Sequence, residues 1–122
     1  MKYAAYITRA DHWSFESRER VPISRAEWLA YVANDSELQP IVSFPAYDVR
    51  TGVKVFDAPA EGHWEWIAYS KKHDKQAGFE YLRGGIVVRG PDAEVLRKAI
   101  SIARTLGARV IGDDDEVFGE TR

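Results

Sequence analysis

Cysteine is absent from the 122-residue chain. That removes disulfides, thiolate nucleophiles, Cys-ligated zinc and iron–sulfur clusters together. Long apolar runs are absent too. A membrane span needs about 20 apolar residues and a secretory signal about 7–15. The opening Met1-Lys2-Tyr3-Ala4-Ala5-Tyr6-Ile7-Thr8-Arg9 offers one lysine and then a short half-polar stretch. A cytosolic protein with no membrane partner is expected.

A dominant charge is also missing, since 19 acids face 17 lysines and arginines for a net charge of −2. Five of those acids and one of those bases fall in the last ten residues, leaving 14 acids against 16 bases before them. A nearly neutral body with an acidic end has no general pull toward nucleic acid. Catalytic signatures are scarce as well. None of the serines lies in a Gly-x-Ser-x-Gly elbow. Gly84, Gly85 and Gly90 have neither dinucleotide-fingerprint nor P-loop spacing. His12, His63 and His73 form no helical ligand pair, so no zinc motif is present. No catalytic residue, metal site or cofactor is assigned, and a non-enzymatic protein is the leading expectation.

What is present describes one domain. A chain of this length buries roughly two-thirds of its unfolded surface and holds a core without staples. Its 45% hydrophobic and 30% charged residues match an ordinary globular composition. Alternation of Tyr3, Ala5 and Ile7 predicts a first strand over 2–8, and residues 11–22 read as a long charged loop. Ser24-Arg25-Ala26-Glu27 has the capping-box spacing, with Ile23 and Trp28 as a hydrophobic staple. A helix over 24–34 follows, with Asn34 as a left-handed end and Asp35 capping one more turn through Leu38.

Residues 41–89 read as strands. Candidates are 41–44, 48–56 (Val49, Val53 and Val55 on one face) and 63–69, then a basic connection over 71–75. A hairpin over 79–89 turns at Arg83-Gly84-Gly85. Pro91 and Asp92 open a second helix, with Leu96, Ala99, Ile100, Ala103 and Leu106 on one face and Gly107 as its stop. Residues 108–111 form a last strand. The order β–α–several β–α–β predicts an α+β fold: a mostly antiparallel sheet with both amphipathic helices packed on one face, related to a ferredoxin-like plait.

Two surface features stand out as partner-binding candidates. Loop 11–22 carries Asp11, His12, Trp13, Phe15, Arg18 and Arg20, the aromatic and arginine chemistry of protein-interface hot spots. The acidic run Asp113, Asp114, Asp115 and Glu116 suits a solvated turn, a protein contact or a divalent cation. It fails the calcium-loop pattern because Val117 and Phe118 stand where a ligand and a glycine are needed. That apolar pair also predicts that the segment docks back on the body. An enzyme or small-ligand reading instead gathers Asp11, His12, His63 and Trp64 in a pocket between helices and sheet.

Pro22-Ile23-Ser24-Arg25-Ala26-Glu27-Trp28-Leu29-Ala30-Tyr31-Val32 with Asp35-Ser36-Glu37-Leu38 resembles the opening of a group of small uncharacterised bacterial proteins. Leu106-Gly107-Ala108-Arg109-Val110-Ile111-Gly112-Asp113-Asp114-Asp115-Glu116-Val117-Phe118 is similar to their ending, where Gly-Asp-Asp-Gly-Glu-Val-aromatic is usual and Asp115 here replaces the second glycine. Proteins of this style include immunity proteins of polymorphic toxin systems. The resemblance implies an immunity role and supplies no catalytic residue. Loop 11–22, the acidic end and the lack of site chemistry lead separately to an expected protein partner, a toxin domain among the candidates, with a homodimer as a further possibility.

Overall fold

The computed structural model describes residues 3–41, 43–59 and 62–119. A seven-stranded, fully antiparallel sheet runs in the order β2-β5-β6-β7-β1-β8-β9. Its strands are β1 (Ala4–Thr8), β2 (Leu38–Pro40), β5 (His63–Trp66), β6 (Gly78–Leu82), β7 (Gly85–Arg89), β8 (Arg109–Gly112) and β9 (Val117–Phe118). A separate two-stranded ribbon pairs β3 (Ser43–Tyr47) with β4 (Lys54–Pro59). Among the described residues four helices accompany them, α1 (Phe15–Arg20), α2 (Arg25–Ala33), α3 (Ile67–His73) and α4 (Ala93–Thr105). The protein is therefore α+β with a mostly antiparallel sheet, as its sequence predicts.

Side chains alternate across a strand, so the core can be read from register. Ala5 and Ile7 of β1, Ile86 and Val88 of β7, Phe79 of β6 and Val110 of β8 share one face and one buried cluster. Trp28 of α2, Tyr69 of α3, and Val95, Ala99 and Ile102 of α4 close over it. Helix α2 forms where the capping box predicts. Ser24 Oγ accepts from Glu27 N at 3.0 Å, and Glu27 Oε1 accepts from Ser24 N at 2.9 Å. Trp28 is fully buried, stacks on Tyr31 at 6.0 Å and meets Trp64 edge-on at 5.8 Å. Asp92 caps α4, its Oδ1 accepting from Val95 N at 2.9 Å. The β6–β7 turn needs two positive φ angles to match strand twist, and Arg83 (29°) and Gly84 (91°) supply them.

Five local expectations are corrected. Segment 11–22 is not all loop: Ser14 Oγ accepts from Ser17 N at 3.1 Å and starts α1, a helix with no buried residue and so no apolar periodicity. The strand over 63–69 ends at Trp66, and α3 takes the place of both its end and the basic connection. The stretch over 48–56 is a turn followed by β4, with Asp48 N donating to Val53 O at 2.9 Å. Asn34 ends α2 at φ −104°, outside the left-handed region. Pro91 precedes the α4 cap rather than following it. The strand expected over 41–44 includes Val42, which lies outside the described residues; β3 begins at Ser43.

Candidate functional site

The second sheet face, carrying Tyr6 and Thr8 of β1, Gly85, Val87 and Arg89 of β7 and Ile111 of β8, is covered differently. Thr8 Oγ1 accepts from Ala10 N at 3.0 Å as the chain leaves β1. Arg9 is anchored by donating to Leu106 O at 2.7 Å and to Glu27 Oε2 at 2.5 Å. The chain then folds back over this face. Trp13 stacks on Tyr6 with ring centroids 4.5 Å apart, and the Arg18 guanidinium lies 4.0 Å from the Trp13 ring on the same aromatic stack. Glycine is required beneath: a Cβ on Gly85 would sit 2.4 Å from the Trp13 ring and 3.0 Å from Ile7 O.

This return brings the two sequence candidates together. His12 Nδ1 lies 2.8 Å from Asp115 Oδ2, and Asp11 pairs with Arg109. Tyr6 OH donates to Asp113 Oδ1 at 2.7 Å, and Ala4 N donates to its Oδ2 at 3.3 Å. Burial, then that bond to Asp113, pushes the Tyr6 hydroxyl up to about 12. The hydrogen bond and charge of Asp115 hold His12 above the ordinary imidazole value. Glu116 leans over Gly112 and accepts from Asp114 N at 2.9 Å. The Asp114 carboxylate has no partner among the described residues. A hollow of about 270 Å³ opens between Tyr6, His12, Trp13, Ser14, Asp113 and Asp115.

The turn itself is set by backbone. Asp115 N donates to Gly112 O at 3.1 Å and Gly112 N to Glu116 O at 2.9 Å. Asp115 stands at φ 61°, the left-handed region that glycine favours. Beyond it Val117 and Phe118 pair with Ile111 and Val110, so the segment docks back on the sheet.

The remaining candidates lie further along α1. Phe15 is half exposed beneath the Arg83 guanidinium at 5.2 Å. Arg18 donates to Leu82 O at 2.9 Å and Arg83 O at 3.1 Å, so it also ties α1 to the β6–β7 turn. Arg20 is exposed.

His63 is not brought to His12. It lies 3.3 Å from Glu80, which also accepts from Arg89 at 3.1 Å. These three line a second hollow of about 480 Å³ with Ile41, Gln76 and Val87. Trp64 points to the opposite face, against Trp28. Glu80 and Arg89 escaped the sequence reading because only strand register joins them to His63. Among the described residues no group of three His, Cys, Asp or Glu side chains is arranged to hold a metal ion, and no helix is long and apolar enough to cross a membrane.

The fold and site define an α+β protein with one helix-covered sheet face and an acidic, aromatic-backed rim on the other. Compared with family models, curated proteins and solved structures, the chain matches none.

Proposed function

We propose that this is a non-catalytic protein-binding module that presents Asp11, Asp113, Asp114, Asp115 and Glu116, with His12 and Trp13 beside them, to a basic surface of another protein. The observation that carries the reading is the convergence of two segments about a hundred residues apart in sequence, joined by His12–Asp115. Five carboxylates gather there, and among the described residues the cations in direct contact with them are Arg109 and, when protonated, His12. Such a field raises the encounter rate with a basic partner and rejects acidic ones. The Tyr6–Trp13 stack gives the carboxylates a rigid backing, which lowers the entropy cost of docking.

The finer reading is an immunity factor whose acidic rim occludes the basic active site of a nuclease toxin in the bacterial cytosol. Co-expression with the product of the adjacent upstream gene tests it. The two proteins should co-purify, and the pair should spare cells that the neighbour alone kills. A harmless or non-binding neighbour argues against the immunity role. We also infer that the inner strands β8-β1-β7-β6, with α2 and α4 as the two crossing helices, form a ferredoxin-like plait extended by edge strands.

The His63–Glu80–Arg89 hollow supports a second reading, a small-ligand site. Glu80 is largely buried between a histidine and an arginine, the convergence of polar groups expected of a binding pocket. It lies across the sheet from α2 and α4, not between helices and sheet. A metabolite thermal-shift screen separates the readings: a ligand raises Tm, and Glu80→Gln abolishes that rise.

A further inference from the structure

The β3–β4 ribbon has no part in the acidic rim. Among the described residues its strands pair only with each other, whereas every other strand belongs to the main sheet. Ten large apolar side chains stand exposed among the described residues, and five of them (Tyr47, Val49, Val53, Val55 and Phe56) lie on this one ribbon. Val49 at its tip is 99% exposed. Pairing of Tyr47 with Lys54 and of Ala46 with Phe56, across a bulge, puts Tyr47 and Phe56 on opposite sides. Large apolar side chains therefore stand exposed on both sides of the ribbon. An isolated two-stranded hairpin is marginal in water, and apolar surface concentrated this way marks an interface.

We propose that a second copy of this chain covers the ribbon, two β4 strands pairing antiparallel about a twofold axis to give a four-stranded β3-β4-β4-β3 sheet. Charge selects the occupant. The ribbon bears Asp48, Arg50, Lys54 and Asp57, two acids and two bases, with Lys54 3.0 Å from Asp57 and Arg50 3.8 Å from Asp48. A balanced ribbon does not repel its own copy, and it offers no single-sign field to steer a charged stranger.

Edge chemistry selects the strand. Pro45 interrupts the donors of β3, whereas β4 has no proline before its final residue, Pro59, leaving its outer edge able to pair. A twofold pairing of identical edges is isologous and closes at two copies. Area reaches the threshold. Five side chains at on the order of 100 Å² each, counted on both copies and packed side against side across the seam, bound the buried area at about 1,000 Å², the lower limit of a specific interface.

Light scattering on the eluting full chain tests this. Wild type should elute at twice the 13.8 kDa chain mass, and Val55→Lys with Phe56→Lys should elute at the single-chain mass. Both residues are exposed, so the variant keeps its circular dichroism melt. In this cysteine-free chain, Phe56→Cys should cross-link to its own copy on mild oxidation while Glu19→Cys on α1 should not. A monomeric wild type, or a dimer untouched by the two lysines, overturns the proposal. Failure of Phe56→Cys to cross-link within a dimer overturns pairing through β4.

Discussion

Asp115 holds two opposed roles in one residue. Its backbone occupies left-handed space that costs a non-glycine residue about 1 kcal/mol, while its carboxylate pairs with His12. An exposed pair of this kind stabilises little. Asp115→Gly is therefore expected to raise unfolding stability by about 0.5–1 kcal/mol, read by urea denaturation. The same change should lower the His12 pKa, read by NMR titration of the imidazole. His12 has a raised folded value, so its contribution is present below its unfolded pKa and is lost as pH rises through the folded one. In Asp115→Gly that pH dependence should flatten. Beneath Trp13, Gly85→Ala should cost about 1–3 kcal/mol, since the new Cβ meets the ring and the Ile7 carbonyl oxygen at once. An unchanged denaturation midpoint would mean that Trp13 is not fixed on Tyr6.

At the scale of elements, the local signals were legible and the distant ones were not. The capping box of α2, the cap and apolar stripe of α4 and the glycine turn between β6 and β7 each depend on neighbours a few residues away. Ser24→Ala should cost about 1 kcal/mol. Glu27 belongs to the same box and also pairs with Arg9. The hydrogen bond from Arg9, then that from Ser24, draws its carboxyl down to about 2 from 4.5. A depressed carboxyl stabilises above its unfolded value and loses that contribution as pH falls through the folded one. Wild type should thus exceed Glu27→Gln in stability at neutral pH, and the two should converge as pH drops from 4.5 toward 2.

Helix α1 escaped because Phe-Glu-Ser-Arg-Glu-Arg buries nothing, and its anchors are the Ser14 cap and Arg18 on two carbonyls. Helix α3 escaped because Trp64, Trp66 and Tyr69 all favour strands. Its Tyr69 instead packs on Trp66 at 5.6 Å and donates to Asp92 at 2.6 Å. One tie between elements could not be read at all. Lys98 of α4 donates to Asp35 at 2.8 Å and Glu37 at 2.9 Å, while Tyr31 donates to the same Asp35 carboxylate at 2.5 Å. Burial disfavours the Lys98 charge, yet those two carboxylates hold it above the usual lysine value. Lys98→Ala leaves Asp35 enclosed without its cation and should cost about 2 kcal/mol, measured by the same denaturation.

Over the whole molecule, one sheet divides two tasks. Its helix-covered face holds the core, and its other face carries the rim where 11–14 meets 113–116. Both rim segments could be singled out from composition, one by aromatics and arginines and the other by its carboxylates. Their meeting could not, because it depends on β1 pairing with β8 and on the chain reversing at Thr8. The exposed ribbon was misread for a related reason. Val49, Val53 and Val55 alternate as a buried strand would, and only the fold reveals that they stand exposed.

The acidic rim is the central claim. Its most direct test is isothermal titration of the adjacent gene's product against wild type and against Asp114→Asn combined with Glu116→Gln. The account predicts binding by wild type, about tenfold weaker binding by the variant, and further weakening with added salt. Absence of heat with wild type, or binding that neither the substitutions nor salt alters, would contradict it.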